Sequence, residues 1–260
     1  MPCPRTITAI VWDASAADGP SRRRLRRRWS GTRLLAEAYR RHDLLDVEPG
    51  AWAAAIAARA DLVGVPHVAA WVVDGRPVIL RRRNPGEDAG LVPVGLPLPP
   101  RDGKRRIGLT LPLDAVRPRR PFLLAEARGA CPSAWAATLA AVIALGERHG
   151  LAPRPFGSLL WQSLTGLPYL SEESDLDLLW SVRTTIPPGL LDGLAHIEAC
   201  APMRLDGEIL FPDGSGVNWR ELHAAAPGDT VLVKHRDRLV LREAGVLAGG
   251  PAARLAGAAG

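Results

Sequence analysis

At 260 residues, 47% hydrophobic and 23% charged, the chain can bury a substantial core and is expected to make two modest domains. No apolar run approaches the roughly 20 residues a membrane helix needs, and no charged-apolar-small cleavage pattern opens the chain, so it reads as soluble and cytoplasmic with no membrane partner. Three scattered cysteines, Cys3, Cys131 and Cys200, contain no C-x-x-C and suggest neither a disulfide framework nor a zinc site.

The net charge of +6 is local. Residues 1–40 carry nine Arg against Asp13, Asp18 and Glu37, and the rest of the chain balances 24 basic residues against 24 acidic ones. A terminal block of like charge is expected to be a flexible solvated extension, and no nucleic-acid partner is expected for the balanced remainder. Residues 41–122 then read as a small α/β unit. Ala51 to Ala60 is helical around Trp52, Val68–Val73 and Pro77–Leu80 pair as a hairpin about Asp74-Gly75, and Ile107–Leu113 is a strand. Dense Pro and Gly between Pro85 and Gly103 predict a long loop. Two basic trios, Arg81-Arg82-Arg83 and Lys104-Arg105-Arg106, flank these strands. They read either as solvated strand ends or, through Arg82 and Arg105, as a basic rim for a polyphosphate substrate or an acidic partner.

A second unit is expected over 123–245, opening with a helix from Cys131 to His149 that Gly150 ends. Pro153 and Pro155 lead into FGSLLWQSLTGLPYLSEESDLDLLW, Phe156 to Trp180, where most of the chemistry lies. If a helix starts at Leu159, its unpaired N–H groups and positive dipole end make an anion site, Gly157 allows close backbone approach, and Ser158 adds a hydroxyl. A polar loop returns the chain to a strand on which Asp175 and Asp177 share one face and Leu176, Leu178 and Trp180 the other. Two carboxylates with phosphate nearby suit Mg²⁺, which is commonly held by one or two carboxylates together with substrate phosphates. In MRLDGEILF, Met203 to Phe211, Asp206 and Glu208 share a strand face, and either can be the third carboxylate; the plain alternative is a hairpin turn at Asp206-Gly207. A helix around Leu190 to His196 and two strands, Thr230–Lys234 and Arg238–Glu243, complete the unit, and the Gly/Ala-rich tail 246–260 is expected to be disordered. No phosphate loop, nucleophile elbow or H-E-x-x-H occurs.

The runs GSLLWQSLTGLPYLSEESDLDLLW, RLDGEILFPDGSGVNWREL and TVLVK, with RHDLL and GLPLPPRDGKRRIGL before them, resemble the malonate decarboxylase holo-acyl-carrier-protein synthases, the phosphoribosyl-dephospho-CoA transferases, over residues 41–245. The resemblance implies an α+β protein: a DNA-polymerase-β-like nucleotidyltransferase domain with a mixed sheet, preceded by a smaller α/β domain. It implies transfer of the prosthetic group from triphosphoribosyl-dephospho-CoA to a serine of the apo acyl-carrier subunit of malonate decarboxylase, with release of diphosphate. The family's aspartate pair falls on Asp175 and Asp177, its Gly-Ser turn on Gly157 and Ser158, and a third carboxylate on Asp206, with Glu208 still open. Mg²⁺ or Mn²⁺ is the implied metal on Asp175, Asp177 and Asp206, and Lys234 is a further phosphate contact. Two other expectations stand beside this one: the same site using ATP or another nucleotide, and a nucleic-acid-binding protein led by the Arg-rich extension.

Overall fold

The structure is a computed structural model that describes residues 39–249. The expected Arg-rich extension, apart from its last residues, and most of the expected tail lie outside the described residues. Two β-sheets organise the chain. The first has the order β4-β3-β2-β1-β5, built from β1 (Leu44–Val47), β2 (Val78–Leu80), β3 (Leu91–Pro97), β4 (Arg106–Pro112) and β5 (Val116–Pro118), with every pair antiparallel. Helix α1 (Pro49–Ala57) follows β1, its N-terminus capped by Glu48, whose carboxylate accepts from the amides of Gly50 and Ala51. Trp52, Trp71, Val94 and Leu111 are buried in this core.

The second sheet has the order β11-β10-β9-β8-β7-β6. It comprises β6 (Arg154–Pro155), β7 (Leu176–Ser181), β8 (Leu205–Leu210), β9 (Gly216–Asn218), β10 (Thr230–Lys234) and β11 (Leu239–Glu243). Its one parallel pair is β7 with β8, so the chain must cross over between them, and helix α4 (Leu190–Ala199) makes that connection. Helices α2 (Ala136–Arg148) and α3 (Gly157–Thr165) precede β7; α5 (Trp219–Ala224) follows β9, and α6 (Ala244–Leu247) ends the described chain. Leu176, Leu178 and Trp180 face the helices and pack with Leu139, Val142, Leu190 and Leu194. On the opposite face of β7 and β8 stand Asp177, Ser181, Asp206 and Glu208, with Leu179 and Leu210 beside them. The molecule is thus mixed α+β with two sheets.

Three sequence expectations are corrected here. Residues 68–75 form successive turns, not the first strand of a hairpin, and Trp71 is buried there with its Nε1 donating to Pro77 O at 2.8 Å. The expected loop 85–103 contains β3, although its LVPVGLP sequence argues against a central strand. Pro93 is tolerated because it sits opposite Arg81, just beyond the end of β2, where its carbonyl still accepts from Arg81 N and its missing N–H removes no bond from the β2–β3 ladder. Asp206-Gly207 is not a hairpin turn: β8 runs straight through it, and a Cβ at Gly207 would strike the backbone of Leu178 on the paired strand.

Helix α3 belongs to both halves. Leu159 packs in the second core, whereas Trp161 packs in the first, with its ring 5.9 Å from that of Trp71. Tyr169, just beyond α3, donates its hydroxyl to Pro97 O at 2.8 Å, and Gln162 Oε1 accepts from the amides of Tyr169 and Leu170 to hold that loop. A second tie is ionic. Arg41, just before β1, forks onto both carboxylate oxygens of the buried Glu208, and Lys234 Nζ reaches Glu208 Oε1 at 3.0 Å. His42 Nε2 stands 3.5 Å from the same carboxylate. Burial alone would raise the Glu208 pKa, but His42 and Arg41 override it and hold the carboxyl well below its usual range.

Glu208 therefore contributes stability that is present above the ordinary carboxylate pKa and is lost as pH falls toward its depressed value. Glu208→Gln leaves Arg41 buried with no counter-charge and is expected to cost about 3–5 kcal/mol at pH 7. Urea unfolding from pH 7 down to pH 3 checks this: the gap between wild type and variant should shrink toward acid, and equal stabilities at pH 7 would contradict it.

Candidate active site

Gly157 opens α3 with φ +63°, a left-handed backbone that glycine adopts without strain. The position needs glycine for a second reason, because a Cβ there would collide with Asp177 Oδ2. The start of α3 and the Asp177 carboxylate are thus packed directly on each other, joined below by Phe156 N donating to Asp177 O at 3.0 Å. No side chain caps α3, and the half-buried Ser158 hydroxyl has no partner among the described residues. The helix presents unpaired N–H groups where a phosphate is best received.

The strand register sets Asp177 opposite Asp206 across the parallel β7–β8 pair, and Asp175 lies immediately before β7. Asp206 Oδ1 accepts from its neighbour Gly207 N at 2.7 Å and from Asn218 Nδ2 at 2.8 Å. Asn218 also caps α5 through its Oδ1, so the side chain that holds Asp206 is itself fixed by a helix start. The root of β8 is clamped by Arg220, which donates to Leu205 O and pairs with Glu198, while Glu198 accepts from Leu205 N at 3.0 Å.

These carboxylates feel each other. Burial, and then the charges of Asp206 and Asp175, push Asp177 up to about 7. Arg106 and Arg204 partly oppose that rise, which places both cations close to the cluster, and Arg220 feels the field of Asp175. Among the described residues no three His, Cys, Asp or Glu side chains form a ready-made metal cluster. The donor chemistry nonetheless suits a cation completed by substrate oxygens: hard oxygen ligands, mutually repelling, beside an uncapped helix start.

Not every residue singled out from sequence joins this group. Gly157, Ser158, Asp175, Asp177 and Asp206 come together. Glu208 shares the strand face but is consumed by Arg41 and Lys234, so Lys234 stands with Glu208. Arg105 pairs with Asp61 at 2.7 Å on the far side of its strand, and Arg82 is exposed. Arg81 and Arg83 are structural: Arg81 donates to Val94 O and Leu109 O and pairs with Glu87, and Arg83 binds the carbonyls of Asp88 and Leu91. Sequence reasoning missed Arg106, Arg204, Asn218 and Arg220. Strand alternation held the clue for Arg106, since adjacent residues point to opposite faces and only one member of an Arg-Arg pair can face the site.

Without metal, a native pKa of about 7 at Asp177 means that the folded chain holds this proton more tightly than the unfolded chain does. The stabilisation is complete below about pH 4 and is lost as pH rises through about 7. In chelator, Asp177→Asn is expected to be more stable than wild type at pH 8, on the order of 2–4 kcal/mol, with the gap closing toward pH 4. Urea unfolding across that range checks it; a gap independent of pH would mean the carboxylates do not share one site.

Comparison with known proteins follows the same division of the chain. A family model described as the phosphoribosyl-dephospho-CoA transferase MdcG C-terminal domain matches residues 123–245, and one described as the MdcG N-terminal domain matches residues 40–122. A phosphoribosyl-dephospho-CoA transferase of Bradyrhizobium diazoefficiens is 46% identical over 204 residues, covering 77% of this chain and 88% of the relative. One of Xanthomonas campestris pv. campestris is 41% identical over 183 residues, covering 69% and 85%. One of Pseudomonas putida is 32% identical over 170 residues, covering 65% and 80%. No solved structure gave a significant match. By both family models and by these relatives, the chain is a transferase belonging to the phosphoribosyl-dephospho-CoA transferase family.

Proposed function

We propose that this enzyme transfers the phosphoribosyl-dephospho-CoA group from triphosphoribosyl-dephospho-CoA to a serine of the apo acyl-carrier subunit of malonate decarboxylase, releasing diphosphate. The observation that carries the reading is the packing of the Gly157 backbone on the Asp177 carboxylate, opposite Asp206. One cleft then offers amide donors for a leaving diphosphate and oxygen ligands for a cation. A mixed sheet with a Gly-Ser helix start immediately before the aspartate strand supports a DNA-polymerase-β-like nucleotidyltransferase fold for the second unit.

In this reading the carrier serine Oγ attacks the α-phosphorus of the donor, a new P–O bond forms, and the bond to the β-phosphate bridging oxygen breaks. The unpaired amides at the start of α3 and the Ser158 hydroxyl hold the departing diphosphate, with Arg106 and Arg204 compensating its charge. Asp206, oriented by Asn218, accepts the serine proton. Asp175 and Asp177, with Asp206, would hold Mg²⁺ or Mn²⁺, which when bound neutralises charge on the transferring and leaving phosphates. The serine belongs to the partner, so this chain need not supply a nucleophile.

Intact mass of the apo carrier subunit, after incubation with this enzyme, Mg²⁺ and either triphosphoribosyl-dephospho-CoA or ATP, tests the donor. The expected result is a prosthetic-group gain with the former alone; a nucleotide gain with ATP would replace the donor. Asp175→Asn and Asp177→Asn are expected to abolish transfer, and Asp206→Asn to slow it about 10²–10⁴-fold. Near-normal rates in all three would sink the site assignment.

A further inference from the structure

A second charged recess lies on the same sheet face, beyond the Glu208 tie. It is a cavity of about 120 Å³ between the Arg40–Asp43 segment and the carboxyl-terminal ends of β7 and β8, lined by Arg40, Arg41, Asp43, Arg154, Ser181 and Phe211 among others. That volume is several times what one water requires.

The charges around it do not balance. Arg41 is spent on Glu208. Arg154, on β6, has its Nε shut off from solvent with no hydrogen-bond partner, and its guanidinium makes no ion pair among the described residues. Arg40 makes none there either; its backbone N–H donates to Asp43 Oδ2 at 2.7 Å, and its side chain runs over Gly214. Asp43 is the one carboxylate among the lining residues. Burial lowers the Arg154 pKa, Asp43 opposes that fall and Arg40 adds to it. An arginine cannot escape burial by losing its proton, so leaving the Arg154 Nε enclosed without an acceptor is costly. A ligand oxyanion removes that cost.

The geometry selects the kind of anion. Two guanidiniums and the exposed Ser181 hydroxyl line the cavity, more donors than a single carboxylate can use, and they suit the several oxygens of a phosphoryl group. We propose that this cavity is a phosphate- or diphosphate-binding site, distinct from the carboxylate cluster. Ser181 follows Asp177 by four strand steps on the same face, roughly 13 Å. If the proposed function is right, on which this assignment of the ligand rests, the donor carries a second anionic group at a suitable remove: two linked ribose rings separate its reacting phosphorus from the diphosphate arm of dephospho-CoA. Inorganic diphosphate, the released product, is the other source of the same chemistry.

Isothermal titration calorimetry of the full chain in magnesium-free buffer with chelator separates the cases, using dephospho-CoA and inorganic diphosphate as separate probes. Arg154→Gln removes this guanidinium; Ser181→Asp, at an exposed position, sets a carboxylate in the cavity and decides the matter if the first variant does not fold. Both are expected to weaken dephospho-CoA binding at least tenfold, whereas Asp177→Asn does not weaken it. Weakening of dephospho-CoA alone identifies the donor arm as occupant, weakening of diphosphate alone identifies the product, and weakening of both gives one site for either. Unchanged affinity for both probes in a folded variant, or no binding of either probe to wild type, overturns the proposal. Arg154-independent binding in an enzyme whose Asp177→Asn variant loses transfer would remove this site and leave the catalytic reading intact. Arg154-dependent binding in a protein inert toward the triphosphate donor would do the reverse.

Discussion

Asp175, Asp177, Asp206 and Glu208 crowd one face of a two-strand parallel pair, and such a face can fold only if its charge is managed. The chain neutralises one of the four from within: Arg41 and Lys234 close on Glu208, which is as buried as a core residue. The three aspartates receive no comparable partner. Arg204 approaches Asp206 only to 3.8 Å and is itself mostly exposed. Repulsion among them is stored in the protonation equilibrium of Asp177 rather than relieved by a salt bridge. A fold that neutralises one carboxylate and leaves three uncompensated beside an uncapped helix start is arranged to receive positive charge and phosphate together.

The first sheet contributes to this arrangement directly. Trp161 and Tyr169 sit in its core although both belong to the segment that carries Gly157, so the helix start cannot shift without disturbing Trp71 and Pro97. The Tyr169 bond to Pro97 matters for a further reason: Pro97 pairs with Arg106 across β3 and β4, and Arg106 is the cation whose field reaches Asp177. That hydrogen bond therefore ties the segment after α3 to the strand pair that carries Arg106. The candidate site is therefore built on both halves.

Much of the site was legible in the sequence because it is local. Gly157-Ser158, Asp175-x-Asp177 and Asp206 lie on short segments whose periodicity fixes which side chains share a face. What was illegible depends on partners distant in sequence. Asp206 and Glu208 are equivalent by alternation, and partners distant in sequence separate their roles: Arg41, 167 residues away, and Lys234 close on Glu208. Lys234 looked like a phosphate ligand because sequence shows its charge and not its partner, Glu208. Strand β3 was hidden by its prolines, whose tolerance depends on where the neighbouring strand stops. The turns over 68–75 were hidden by apolar residues that a strand would also use.

The same accounting of charge extends along the whole face. From the start of β7 to its end, the sheet passes from the aspartates, through the closed Glu208 pair, to the guanidiniums of Arg40 and Arg154, which form no ion pair among the described residues. Were the purpose only stability, Arg154 would gain more from a direct ion pair than from facing a cavity, and the aspartates would gain more from a nearby lysine. Left unpaired, the two ends do not annul each other, because the Glu208 knot stands between them. Separated charges of opposite sign on one rigid surface can read a long ligand at two points: a cation-bridged phosphate at one end and a bare anionic group at the other. Two-point reading converts binding of the distant group into orientation of the reacting one, where positioning contributes most to rate.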